Sequence, residues 1–151
     1  MDFHAKDLRV GRFSSPGIVY LITAVTNNRQ KAFLEHQIAR ILVKTMKNAD
    51  EKKYSLTLGF VVMPDHLHWI FKLGKSKDLS STVKYVKGSS AIQINRYSQN
   101  LKFQWQPGFH DHAIRNDESL VAVMRYVIAN PLRAGIVESI GDYPYWDSVY
   151  L

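Results

Sequence analysis

His66, Leu67 and His68 open a strand-like run that continues to Leu73. On a strand, residues two apart face the same way and lie about 7 Å apart at the backbone, so both imidazoles can reach one metal ion while Leu67 turns to the core. Trp69 and Ile70 continue the alternation. Two exposed polar residues on a strand show the same pattern, so the pair alone is weak evidence for a metal. Tyr126 and Asn130 are four apart on a helical stretch, which makes them neighbours on one face, with the amide at the helix end before Pro131. A phenol ionises near pH 10 and is a poor nucleophile until its target is polarised, which a metal on phosphate oxygens would do. The plain alternatives are a helix tyrosine with a packed ring and a wet hydroxyl, and a helix-terminal asparagine suited to left-handed geometry. His110 and His112 form a second such pair, but Asp111 stands where the first pair has leucine, so this segment reads as an exposed edge.

The rest of the chain must position these groups. At 151 residues, 46% of them hydrophobic, it suits one domain with a real core. No cysteine is present, which excludes disulfides, thiolate metal sites and cysteine nucleophiles, and suits a reducing compartment. Twenty Lys and Arg against 13 Asp and Glu give a formal charge of +7, which favours a polyanionic partner without proving one. The first ten residues carry four charges and no apolar run, so no secretory signal is expected. Stretches 17–25 and 58–63 fall short of the roughly 20 residues of a membrane span, so a cytoplasmic protein without membrane contact is expected.

Residues 1–16 read as a basic N-terminal arm with Arg9 and Arg12 available for phosphates. A strand is predicted over Ile18–Thr26, then a helix whose apolar face is Phe33, Leu34, Ile38, Ile41, Leu42 and Met46. Tyr54–Val62 and His66–Leu73 form a hairpin across Pro64 and Asp65. Asp78 caps a second helix reaching about Asn95, with Leu79, Val83, Val86 and Ile92 inward and Lys84 and Lys87 outward. Segments 103–105 and 109–114 are strand-like, and at least one extends the sheet. A final helix, capped by Asn116 with Asp117 and Glu118 in its first turn, runs to about Ala129. This order predicts an α+β, ferredoxin-like split βαβ fold, with an antiparallel sheet flanked by helices and an extra C-terminal helix carrying the tyrosine.

The string Met63-Pro64-Asp65-His66-Leu67-His68-Trp69, followed by Arg125-Tyr126-Val127-Ile128-Ala129-Asn130-Pro131-Leu132-Arg133-Ala134-Gly135, closely resembles the motifs of single-tyrosine HUH transposases, and in particular the REP-associated branch. Lys87 to Arg96, Trp105 to Arg115 and Asp142 to Asp147 also resemble that branch, so the similarity runs from Gly11 onward, with Pro107 a mild departure where relatives often carry a basic residue. The resemblance implies one transposase domain over 17–151 that nicks and rejoins single-stranded DNA beside a REP-like hairpin through a 5′-phosphotyrosine. It implies Tyr126 as nucleophile, His66, His68 and Asn130 as ligands of Mg or Mn, and Asp65 either orienting a ligating histidine or stabilising the turn. DNA contacts are expected from Arg9, Arg12, Lys84, Lys87, His112 and Arg115, in a cytoplasmic, nucleoid-associated protein acting as monomer or homodimer. The rivals are a non-catalytic nucleic-acid-binding regulator on the same fold and a small zinc hydrolase in which Tyr126 is dispensable.

Overall fold

Strand β1 (Val19–Val25) buries every second residue, Tyr20, Ile22 and Ala24, while the residues between them are part-exposed. The alternation matters because this strand sits inside a sheet that has a helix layer on each face. The structure is a computed structural model describing residues 14–115, 120–138 and 143–148. Arg9, Arg12, the predicted cap Asn116 with Asp117 and Glu118, and Asp142 lie outside the described residues.

After β1 come two short 3-10 turns at 27–29 and 32–34, then α1 (His36–Glu51). Ile38, Leu42 and Met46 line its buried face at helical spacing, as the periodicity predicts. Phe33 and Leu34 do not belong to it: the amide of Phe33 donates to the Pro64 carbonyl at 3.1 Å and Glu35 is extended, so the helix starts later and Leu34 is left 66% exposed. Strands β2 (Ser55–Met63) and β3 (His66–Leu73) form the expected hairpin, in which Met63 pairs with His66 and Val61 with His68. Asp78 caps α2 (Leu79–Tyr97), its Oδ1 accepting from the Ser81 amide at 2.7 Å. The buried stripe of α2 runs through Leu79, Val83, Val86, Ser90 and Ile94, so Ile92, predicted inward, lies 55% exposed on the other side.

Of the two strand-like segments that follow, 109–114 supplies β4 (His110–Ala113), while 103–105 contributes only a bridge from Trp105 to Thr26. Then come α3 (Leu120–Ile128), α4 (Asn130–Arg133) and β5 (Trp146–Ser148). The sheet order is β4-β1-β3-β2-β5, antiparallel throughout. Its first four strands have the split βαβ arrangement, which makes the fold α+β and ferredoxin-like, and β5 is an added edge strand that the sequence pattern does not announce. Among the described residues no helix is long and apolar enough to cross a membrane.

Two cores follow from this layering. On one face Leu67, Trp69 and Phe71 pack with Ile38, Leu42 and Met46 of α1 and Val83 and Val86 of α2. On the other, Val61, Met63 and Ile70 pack with Met124, Val127 and Ile128 of α3 and with Tyr143. Each of these helix side chains contributes on the order of 1.5–3 kcal/mol of burial, enough to hold α3 across the strands. The approach needs Gly59 on β2, since a Cβ there would overlap the Met124 thioether and lie 3.1 Å from the Asp147 carbonyl. Gly59→Val is therefore expected to lower stability by about 1–3 kcal/mol through overpacking, read as a shifted urea midpoint at constant m.

Candidate active site

His66, His68 and Ile70 share one side of β3, and Ile70 packs with Met124 and Val127, so both imidazoles lie on the face covered by α3. Leu67 points the other way into the first core, as its place between the histidines predicts. Each ring is held by its Nδ1. His66 Nδ1 lies 2.7 Å from Oδ1 of Asp65, and His68 Nδ1 lies 2.9 Å from the Thr23 hydroxyl on the neighbouring strand. With Nδ1–H donating in each case, the Nε2 lone pairs are left for a ligand. The two rings are 4.8 Å apart, centroid to centroid. Burial, aided by the charges of His66 and Arg133, pushes the His68 pKa down to about 4, so its ring is neutral near pH 7 as metal binding requires.

Asp65 does two jobs with different atoms. Its backbone carbonyl accepts from the Thr26 amide and hydroxyl and so ties down the hairpin turn, while its carboxylate faces His66 and Arg29, whose Nη1 is 3.4 Å away. Partial burial works to raise the carboxyl pKa, but the hydrogen bond and charge of His66, together with Arg29, prevail and hold it below its ordinary value.

Met124, Val127 and Ile128 form the buried stripe of α3, and Tyr126 falls outside it, 67% exposed. Tyr126, Asn130 and His68 nevertheless line one cleft of about 510 Å³, together with Leu21, Ala122, Val123 and Val127. The sequence pattern puts Asn130 at the end of the tyrosine helix; α3 instead stops at Ile128, and Asn130 begins α4 with Pro131 in its first turn, where the missing amide hydrogen is no loss. Its Nδ2 donates to the Val127 carbonyl and its Oδ1 accepts from Arg133 Nη2, both at 2.7 Å. A carbonyl oxygen has a second lone pair, so the amide can still serve as a ligand. Among the described residues no three His, Cys, Asp or Glu side chains converge on one point. The side chains that could hold a metal here are the two oriented imidazoles and the Asn130 amide oxygen, a mixed nitrogen and oxygen set.

Residues 14–130 match the family model described as "Transposase IS200 like". The chain belongs to the IS200-like transposase family. Among its relatives, a REP-associated tyrosine transposase of Escherichia coli K12 is 27% identical over 135 residues, covering 89% of this chain and 78% of that protein. A Haemophilus influenzae protein provisionally given the same name is 27% identical over 139 residues, covering 85% of this chain and 78% of its own length. A solved structure of a REP-associated tyrosine transposase bound to a REP hairpin superposes with a TM-score of 0.73 at 26% identity, covering 89% of this chain and 79% of that one.

This transposase distributes its other predicted contact residues unevenly around the cleft. His112 pairs with Leu21, a cleft-lining residue, so it shares the face of His68 and is exposed. Arg115 follows β4 and is also exposed. Lys84 and Lys87 sit on α2, in the layer behind the sheet. The Lys87 ammonium donates to the Gln106 carbonyl at 2.7 Å and to that of Gly108, and so braces the turn before β4. Sequence reasoning passes over two features. Arg133, beside Asn130, is one; its signal is a spacing of three on a helix. The other is a groove of about 730 Å³ along α1, where Arg40, Lys44 and Lys47 recur at helical spacing beside His36, Phe60 and Tyr145.

Proposed function

We propose that this transposase cuts and rejoins single-stranded DNA at the foot of a REP-like hairpin, with Tyr126 as the nucleophile. One observation carries the reading: the phenol of Tyr126, the amide of Asn130 and the imidazole of His68 line a single cleft, although His68 and Tyr126 are 58 positions apart in the chain. His66, His68 and Asn130 would hold a divalent ion, Mg or Mn, which supplies a Lewis acid to a phosphoryl oxygen. Asp65 and Thr23 hold the two imidazoles in orientation, and the exposed Tyr126 meets a phosphate that enters the cleft from solvent. The phenol oxygen forms a bond to phosphorus as the bond to the 3′-oxygen breaks; the phenol proton passes to water and the leaving oxygen takes one up. The product is a 5′-phosphotyrosine, still a phosphodiester, so a second 3′-hydroxyl can reverse the step without ATP.

The hairpin as partner is supported by the relative whose structure holds one, and by the basic groove on α1. A hairpin stem lying in that groove would meet Arg40, Lys44 and Lys47 with its phosphates. Monomer and homodimer both satisfy this arrangement, since the cleft is formed within one chain. The test is a hairpin oligonucleotide incubated with Mg or Mn, with a protein–DNA adduct sought on a denaturing gel. Absence of adduct across hairpins and metals would favour a non-catalytic binding protein.

Asp65→Ala removes the carboxylate that orients His66, and metal affinity is expected to fall roughly 10- to 100-fold, measured by titration calorimetry with Mn. Replacing Arg40, Lys44 and Lys47 together by Gln is expected to weaken hairpin binding at every stem sequence and to flatten the slope of log affinity against log salt by about 3. A slope unchanged by the triple substitution would place the stem elsewhere.

A further inference from the structure

Arg133 ends α4, three residues after Asn130, a spacing that sets two helical side chains side by side. Its guanidinium carbon lies 3.8 Å from the centroid of the Tyr126 ring, and its Nη2 donates to Asn130 Oδ1 at 2.7 Å. One cation thus touches both the proposed nucleophile and the proposed amide ligand. Neither contact serves the core, because Tyr126 and Arg133 are both exposed and the burial that anchors α3 comes from Met124, Val127 and Ile128. A cation stacked on an exposed ring contributes roughly 0.5–1 kcal/mol, and the same guanidinium also engages Asn130.

The chemistry of strand transfer gives it a use. As the phenol oxygen closes on phosphorus, negative charge collects on the non-bridging oxygens, and a guanidinium presents five N–H donors in a planar fork that matches such oxygens. Stacking on the ring sets the plane of that fork, and Asn130 engages Nη2 and fixes its rotation. We infer that Arg133 receives a non-bridging oxygen of the scissile phosphate and holds it against the Tyr126 hydroxyl, a role that rests on the cleft being the site of strand transfer. It donates hydrogen bonds and transfers no proton. Lysine would carry the charge without the plane or the fork.

The experiment compares Arg133→Gln, Arg133→Ala and Arg133→Lys with the parent protein on a hairpin oligonucleotide in Mn. Gln keeps an amide that can donate to Asn130 but lacks the charge, so it separates phosphate binding from a merely structural hydrogen bond. At saturating DNA the cleavage rate of the Gln and Ala variants is expected to fall roughly 100-fold, while hairpin affinity by anisotropy stays within about threefold. Lys should recover part of the rate. Guanidinium ion, added far below denaturing concentration, should raise the rate of Arg133→Ala and leave that of the parent unchanged. A Gln variant that cleaves like the parent, or a loss of rate matched by an equal loss of affinity or melting temperature, overturns the assignment. If the parent itself forms no adduct, the strand-transfer reading fails first and this assignment with it; if the parent cleaves and Arg133→Ala cleaves as fast, this assignment alone fails.

Discussion

Tyr126→Phe is expected to bind a hairpin oligonucleotide as the parent does and to form no covalent adduct with it. The substitution removes one oxygen from a ring that is 67% exposed and anchored by nothing in the second core, so fold and melting temperature should not change. The ring persists, and with it the stacking surface for Arg133. What goes is the atom proposed to bond to phosphorus, and without it that reaction has no covalent route. Loss of a nucleophile in a covalent mechanism commonly costs a thousandfold or more, roughly 4 kcal/mol of barrier, so cleavage should drop below detection in a single-turnover assay. A zinc hydrolase using a metal-bound water would behave otherwise. There Tyr126→Phe would leave turnover intact, and the cut strand would carry no protein.

His68→Ala should lose cleavage about as completely, but by a different route. The imidazole is kept neutral down to about pH 4 by its burial and by the charges of His66 and Arg133, and the Thr23 hydroxyl at its Nδ1 leaves Nε2 for a ligand. Removing it takes one of the two proposed nitrogen donors from a set to which, among the described residues, no third His, Cys, Asp or Glu converges as a replacement. Lewis-acid activation of a phosphoryl oxygen is worth several kcal/mol, so a loss on the order of a thousandfold is expected at saturating DNA. A second readout does not depend on activity. Manganese should raise the melting temperature of the parent by binding the folded state, and should leave that of His68→Ala unmoved. Equal metal-induced shifts in the two proteins would place the ion elsewhere, whatever the cleavage assay shows.

The order of strands and helices was legible from local pattern. β-Branched and aromatic composition marked β1, two strand-like runs about Pro64 and Asp65 marked the β2–β3 hairpin, with β3 predicted to its end residues, and an apolar stripe of period 3.6 marked α1 and α2. Local pattern failed where a contact distant in sequence decided the outcome. The bond from Phe33 to Pro64 delays α1, β5 exists because three residues find the edge of β2, and segment 103–105 makes one bridge rather than a strand. Each is a tertiary event with no periodicity to announce it.

The candidate site divides in the same way. The types and spacings of His66, Leu67 and His68, and of Tyr126 and Asn130, were present in the sequence; a strand of period two placed the histidines on one face, while Tyr126 and Asn130 reach one cleft although the helix is interrupted between them. That the two faces meet could not be read there, because it depends on Met124, Val127 and Ile128 docking over Ile70 and Val61, and on Gly59 leaving room for them. Asp65 meets its neighbour His66, and Arg133 meets Asn130 and Tyr126, across short stretches of chain, whereas the neutrality of His68 follows from its burial under that docking. Burial, hydrogen bonding and stacking act over a few ångströms in space, and only the folded chain brings residues that far apart in sequence within that distance.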